Sequence, residues 1–510
     1  MSASISLRDR LLAALSTLPG VREFHVHVLV SAPRKNSSLY PYARPRPKAY
    51  LQDILILCSE QENPDAPRIL VTAIAVNVYH IPATSSAVVY VSKVDSTGQG
   101  TGKAPTTTLV RALLSYYADP VSRPVEADHV WIQLFARAQG QYLFPNSADF
   151  SGKQPLTDAK LCSWWKRVLT QVAGEAADKT HARAFYILPG YSQPEAEDLL
   201  RIASASAAPL LNETPWTYGH PFSQQGIRSP CPQEENDSNL GTYIPWFDDD
   251  PKSRFLDEIA FIVATTEGII ASPAKKRPKL CSEGSSASRK QSDADKSTRS
   301  AKEERPMGEL TKVSPDEFWE RMSFRQECVA GAVTGFFTLV FSPASTTESD
   351  RKQARSSVSP LAPAPGQVGS QLVKRVMTSL LTGVEFSTRE KAIRSTETVE
   401  SAIKGLCEGM GSAPAAAAAA VVKDSEREAS PGSGSLLVPP STPPRNKVAL
   451  PEISPNAFPD PVASLDTYHS YIYGSVAVSK PVADEVARPA GPAAAAVTVL
   501  TARRKKKRTD

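Results

Sequence analysis

The sequence predicts an α/β protein: a central mixed β-sheet flanked by helices, with disordered inserts and a disordered C-terminal tail. Three observations carry this. Four runs dense in Val, Ile, Leu and Tyr (23–31, 49–58, 68–80 and 87–94) are separated by Pro, Asn and Ser clusters, as strands are. Amphipathic segments of helical period alternate with further short apolar runs. With 43 prolines and only 7% aromatic residues, the 510 residues cannot all pack, because Pro- and Ser-rich tracts bury too little apolar surface to offset their ordering entropy.

Residues 1–18 read as a helix with Leu7, Leu11, Leu12 and Leu15 on one face and Ser6 as its N-cap. The four strands follow. Several are almost continuously apolar, which suits strands covered on both faces. Residues 96–102, STGQGTG, form a glycine-rich turn, and Pro105 opens a helix over 106–117. A strand is expected at 130–136, an amphipathic helix at 158–173, a short strand at 184–188 and a helix at 195–205. The helix predicted over 250–267 has Pro251 just inside its start, behind Asp248, Asp249 and Asp250. Residues 272–306 are Ser-, Lys- and Arg-rich and read as a disordered insert. Structure resumes over 314–338, residues 342–366 form a polar loop, and 367–406 read as two helices, the second starting near Ser387. The predicted domain is therefore 1–410, and 411–510 is a Pro/Ala-rich tail with a basic terminus.

Composition excludes several classes. Six cysteines stand singly, with no C-x-x-C pair, so a Cys-rich zinc site and a disulfide scaffold are both disfavoured. No H-E-x-x-H motif appears, and no metal is expected. No apolar stretch reaches about 18 residues and the N-terminus lacks signal-peptide form, so a soluble, intracellular protein without membrane contact is expected. The 58 Lys and Arg against 53 Asp and Glu give a net charge of +5, unevenly spread. Lys275-Lys276-Arg277-Pro278-Lys279 and the run 503–508 concentrate positive charge in segments read as disordered. They point to nuclear localisation and to non-specific contact with DNA phosphates by the basic tail, or to plain solvated charge.

Four segments carry candidate chemistry. Asp95 ends a buried strand, where α/β proteins place functional groups, although a turn-capping carboxylate reads the same way. The turn from Gly98 to Ala104 departs from a P-loop: its glycines are too closely spaced, and Ala104 replaces the Mg²⁺-binding hydroxyl after Lys103. A kinase or ATPase is thereby disfavoured. The helix start at Pro105, with Lys103, Thr106 and Thr107 beside it, can still seat a diphosphate without metal, or be an ordinary N-cap. The Asp248-Asp249-Asp250 run can hold a cation or take its proton, or simply cap its helix. Trp216 and Tyr218 can wall a channel for an alkyl-ammonium group, and Trp164-Trp165 sit together on a helix, although both kinds of Trp also serve as plain core.

Together these segments resemble the fungal histone H3 lysine acetyltransferases, a family distantly similar in fold to the CREB-binding-protein acetyltransferases of metazoans. The matching blocks are YVSKVDSTG (90–98), WWKRVL (164–169), PWTYG (215–219), DDDPKSRFLDE (248–258), FWERMSFRQEC (318–328) and LTGVEFSTREKAIRSTE (381–397). Asp95-Ser96, the strand His129-Val130-Trp131 and the helix LCSWWKRVL also match the metazoan pattern. There the tyrosine assigned as general acid is replaced here by Trp165.

The resemblance implies acetyl transfer from acetyl-CoA to histone H3, at a lysine of its αN helix at the DNA entry–exit face. It also implies work on H3–H4 with histone chaperones of the nucleosome-assembly and anti-silencing types, in replication-coupled nucleosome assembly and genome stability. It implies a site lined by Asp95, Trp216, Asp249 and Asp250, and autoacetylation at Lys252. On this reading Asp250, helped by Asp249 and Asp95, receives the substrate ammonium group. Coenzyme A runs along Val94, Asp95 and Ser96, with its diphosphate over Lys103, Ala104, Pro105, Thr106 and Thr107. Trp164, Trp165, Tyr186 and Pro189 would line the pantetheine channel. A catalytically silent chromatin scaffold of the same fold is the alternative.

Overall fold

A computed structural model describes residues 5–205, 207, 214–233, 238–262, 307–325, 328, 332–344, 359–411 and 458–480. The elements in chain order are α1 (Leu7–Leu15), β1 (Gly20–Val30), β2 (Arg34–Asn36), β3 (Ala49–Gln61), β4 (Ile69–Ile81), β5 (Ser86–Ser96), α2 (Thr106–Ala118), β6 (His129–Ala136), α3 (Asp158–Glu175), β7 (Thr180–Ile187) and α4 (Gln193–Ala203). There follow β8 (Trp216–Tyr218), α5 (Leu240–Tyr243), α6 (Pro251–Phe261), α7 (Pro315–Met322), β9 (Gly335–Pro343), α8 (Ser370–Thr382), α9 (Arg389–Gly411) and β10 (Tyr473–Lys480).

All ten strands join one mixed sheet in the order β10-β1-β3-β4-β5-β6-β9-β7-β8, with β2 on β3. Among the described strands only β5/β6 and β7/β8 pair in parallel. Side chains of a strand alternate between faces, and β3 shows the result. Ile54, Ile56 and Cys58 enter the core beneath α1–α4, whereas Leu55 and Leu57 enter the core beneath α8 and α9. At the other end of that second face, Tyr79, Val88, Tyr90, Trp131 and Phe247 pack together, next to a core built on α6 and α7. Both faces are thus covered, which is why β4 is buried almost throughout and reads as a continuous apolar run.

Local signals set the helix starts. Ser6 accepts from Asp9 N at 3.1 Å. Ser192 and Glu195 form a reciprocal capping box, starting α4 at Gln193, two residues before the expected start. Asp250 and Ser314 cap α6 and α7, each followed by Pro at the first helical position.

Three expectations are corrected. The tail expected from 411 onward is not disordered throughout: a helical turn at 465–472 and strand β10 belong to the fold. Ala463, Tyr468 and Ile472 are buried in the α8–α9 core, and β10 pairs antiparallel with β1 from Gly20↔Lys480 to His27↔Tyr473. Alternation in YGSVAVSK was the strand signal, diluted by the Pro/Ala-rich sequence on either side. The PWTYG segment, where no strand is expected, contributes β8 beside β7. Within the polar loop 342–366, residues 342 and 343 close β9. The insert 272–306 and both basic clusters lie outside the described residues. Among the described residues no helix is long and apolar enough to cross a membrane, no group of His, Cys, Asp and Glu is arranged to hold a metal ion, and the cysteines are buried.

Candidate active site

β5 and β6 run in parallel only as far as Tyr90↔Gln133. Beyond that point β5 carries an extra residue: Val91 faces Val76 on β4, but Lys93, two residues on, faces the adjacent Ala75. Such a bulge bends a strand. β5 stays paired with β4 to Ser96 and β6 stays paired with β9 to Ala136, so the two strands part and their facing edges lose their ladder. A cavity of about 460 Å³ opens between them. It lies at the carboxyl ends of parallel strands, where open α/β sheets bind ligands.

Val94, Asp95 and Ser96 form one wall and Phe135 to Gln139 another. Ala104, Thr106 and Thr107, at the N-terminus of α2, close one end. Leu161, Trp164 and Trp165 of α3 supply apolar surface, the two indoles meeting edge-to-face at 4.6 Å. Trp164 Nε1 donates to Thr107 Oγ1 at 3.0 Å, and Thr106 and Thr72 hydroxyls lie 2.8 Å apart, so the threonines are oriented. The first turn of α2 has no side-chain cap. Its N–H groups and the positive end of the helix dipole therefore remain available to an anion.

The remaining wall is the segment 137–156, which no periodic signal marks. Asp95 holds it in place. One carboxylate oxygen of Asp95 accepts from the N–H groups of Tyr142 (2.7 Å), Leu143 (2.8 Å) and Phe144 (3.1 Å). The other accepts from Ser96 N at 2.8 Å and from Lys153 Nζ at 2.9 Å. Lys153 also donates to Ser147 at 2.8 Å. Asp95 and Lys153 side chains are 5% and 6% exposed. The chain passes so close that a Cβ on Gly98, where φ is +74°, would lie 2.6 Å from Lys153 Cα, so only glycine fits. Asp95 is fully engaged and anchors this wall. Burial, with the charge of Asp95, pushes the Tyr142 hydroxyl up to about 12.

The three acidic candidates separate. Asp249, at φ +61°, turns outward; its side chain is 74% exposed and lies 3.3 Å from Lys93 Nζ, on a residue that lines the cavity. Asp250 is wholly buried. It caps α6 through Lys252 N at 2.9 Å, binds Lys252 Nζ, and accepts from the Tyr90 hydroxyl at 3.2 Å. Tyr90 stacks on Phe247 at 3.9 Å, and Lys252 Nζ sits 4.5 Å from the Phe247 ring centre. Burial lowers the Lys252 ammonium below its ordinary range against the opposing pull of Asp250, and burial raises Tyr90. The cavity beside Lys252 measures about 10 Å³, room for one water at most. Asp250 is occupied by Lys252 and Tyr90 in this arrangement, so its expected role as ammonium receiver requires Lys252 to move aside.

Trp216 and Tyr186 line a different groove of about 610 Å³ with Thr170 and Lys166. Trp216 packs on the α1–α4 face of the sheet, whereas Asp250 contacts Tyr90 on the opposite face. Trp216 Nε1 donates to Thr170 Oγ1 at 2.9 Å. The alkyl-ammonium beside these rings is the protein's own: Lys166 Nζ lies 4.3 Å from the Tyr186 ring centre and 5.8 Å from that of Trp216. Lys103, Pro105 and Pro189 do not line the 460 Å³ cavity. Lys103 is exposed, with its carbonyl held by Arg22 at 2.8 Å. Val94, Ser96, Ala104, Thr106, Thr107, Trp164 and Trp165 do line it. Missed were Tyr142, Lys153 and Lys93. A buried carboxylate at a strand end demands a cation and donors, which was the available hint.

Comparison with known proteins agrees with this architecture. Residues 123–402 match the histone acetyltransferase KAT11-type domain family. A histone acetyltransferase rtt109 from Aspergillus flavus is 33% identical over 307 residues, 55% of this chain and 46% of that protein. One from Schizosaccharomyces pombe is 28% identical over 259 residues, 49% of this chain and 52% of that protein. The crystal structure of Rtt109 from Aspergillus fumigatus superposes with a TM-score of 0.56 at 25% identity, covering 79% of this chain and 96% of that one. The chain spans about half the length of the curated relatives it matches. With more than half of its residues inside the matched region, the chain belongs to the histone acetyltransferase KAT11-type domain family.

Proposed function

We propose that this protein is a histone lysine acetyltransferase using acetyl-CoA, and that its substrate is histone H3. The observation that carries the reading is the cavity between the parted β5 and β6. It joins an uncapped helix N-terminus, an apolar Trp wall and two unpaired strand edges. Those parts suit the diphosphate, the alkyl segment and the amides of one pantetheine-bearing ligand.

A thioester supplies an acyl carbon already activated toward attack. The α2 N–H groups and Thr107 hold the anionic end, and Trp164 and Leu161 hold the chain. A substrate lysine needs its ammonium placed and discharged, since only about one amine in 10³ is neutral at pH 7. Asp249, exposed beside Lys93 of the cavity lining, is open to an incoming cation, and it accepts that ammonium in place of Lys93. Asp250, Lys252 and Tyr90 fix the turn that presents it.

The finer features implied by the resemblance belong to the same proposal: an αN-helix lysine as target, chaperones as co-workers, action in the nucleus on chromatin, and DNA contact through the basic runs 275–279 and 503–508. Self-acetylation of Lys252 requires its side chain to leave Asp250, since the residue is 4% exposed.

Labelled acetyl-CoA incubated with H3–H4 and the protein, followed by peptide mapping, tests the reading. Label on H3 lysines supports it. Binding of coenzyme A without transfer in the presence of chaperone would leave the scaffold reading standing instead.

A further inference from the structure

The phosphate end of the cavity depends on a loop, residues 97–105, that should be floppy. It holds three glycines and carries little apolar surface. Thr97 and Gln99 tie its first part to the carbonyls of Leu70 and Phe386, and its second part, next to α2, is held by two charged residues on β1 and β3. Arg22 of β1 and Glu60 of β3 form an ion pair at 3.1 Å, with side chains 2% and 3% exposed. Neither touches the cavity. Both instead bind the loop backbone. Arg22 Nη2 donates to the carbonyl of Lys103 at 2.8 Å, and Glu60 Oε1 accepts from Thr101 N at 2.8 Å and from the Thr101 hydroxyl. The loop is pressed against the pair: a Cβ on Gly102 would lie 2.6 Å from Arg22 Nη1. Ala104, which lines the cavity, follows directly, and then α2 begins.

We infer that the buried Arg22–Glu60 pair is a positioning clamp that sets the α2 N-terminus as a diphosphate seat. This rests on the proposed use of acetyl-CoA and deepens it by naming what orders the phosphate end. A pair buried only for stability would be better replaced by apolar side chains of similar volume. This pair instead directs Arg22 Nη2 and Glu60 Oε1 at the loop. The clamp acts through backbone, so its effect falls on the phosphate-bearing part of the ligand and leaves the thioester end alone.

The test compares acetyl-CoA with S-acetyl-pantetheine, which lacks the diphosphate, on the full chain. Arg22→Met combined with Glu60→Leu removes both charges together. The expected result is an acetyl-CoA KM raised at least tenfold, kcat within twofold of wild type, and an unchanged KM for S-acetyl-pantetheine. Thr101→Val, at an exposed residue, removes one tie and is expected to raise the acetyl-CoA KM a few-fold. If the double variant folds and keeps the wild-type acetyl-CoA KM, the inference is overturned. It is equally overturned if both donors lose affinity alike. Should the double variant not fold, an unchanged KM in Thr101→Val overturns it. Wild-type protein that binds no coenzyme A in calorimetry would instead remove the acetyltransferase reading itself.

Discussion

Asp249 and Asp250 share a peptide bond and face opposite surroundings: one carboxylate reaches solvent beside Lys93, while its neighbour is sealed under Tyr90 and Lys252. The left-handed backbone at residue 249 produces the split. Substituting the two should therefore have different consequences. Asp249→Asn is expected to change stability by less than about 0.5 kcal/mol and to lower turnover on H3–H4 by about 10²-fold, the low end for a lost proton-handling group. Asp250→Asn is expected to destabilise first, by about 3 kcal/mol, because it strands Lys252 as a buried unpaired charge. Urea titration and initial rates, measured side by side, check this. Wild-type turnover in Asp249→Asn would remove it from the site.

Asp95 offers a test of anchoring against chemistry. Five donors converge on its carboxylate, and its removal leaves Lys153 and three buried N–H groups without their acceptor. Asp95→Ala should cost about 3 kcal/mol or more and speed amide exchange in residues 142–144. A variant with normal stability and normal exchange that lacks activity would make Asp95 a catalytic group after all.

A third prediction concerns acid. His27 is sealed against Tyr468, with Nε2 3.0 Å from the hydroxyl, and burial pushes it down to about 4; burial also lowers His25, which meets Tyr473 at 3.0 Å. Both titrate lower in the folded than in the unfolded chain. Their neutral forms therefore contribute stability that is complete above pH 6.5 and falls as pH drops toward 4. For His27 the loss is on the order of 3 kcal/mol. Melting temperature followed from pH 7.5 to 4.5 should decline, and His27→Gln should flatten the decline. An equal slope in the variant would rule His27 out as its source.

Truncation tests what β10 and the helical turn before it contribute to the fold. Ending the chain after residue 480 should leave the melting temperature within a degree or two. Ending it after residue 457 removes Tyr468, Ile472 and β10, bares the edge of β1 and should cause aggregation visible by light scattering. Equal behaviour of the two truncations would mean that β10 adds nothing to the sheet.

Much of the sheet was legible because strands covered on both faces have little choice of residue: β1, β3, β4 and β5 are near-continuous apolar runs. Pairing was not legible, since nothing in the composition of β5 or β6 says that they lie parallel and then part. That geometry decides the site. It explains why Val94, Thr106, Thr107 and Trp164 share one cavity while Tyr186 and Trp216, whose strands lie two and three places beyond β6, line another groove. Lys153 escaped because its segment has neither helical nor strand period. Its role exists only once Asp95 is buried opposite.

The seating of β10 on β1 ties residues 473–480 to the first strand. During synthesis β1 emerges long before its outer neighbour has been translated, and a bare strand edge is a template for wrong pairing. The nascent chain must keep that edge unoccupied until β10 has been synthesised, so the long interval between the two strands is a natural point for chaperone dependence during biogenesis.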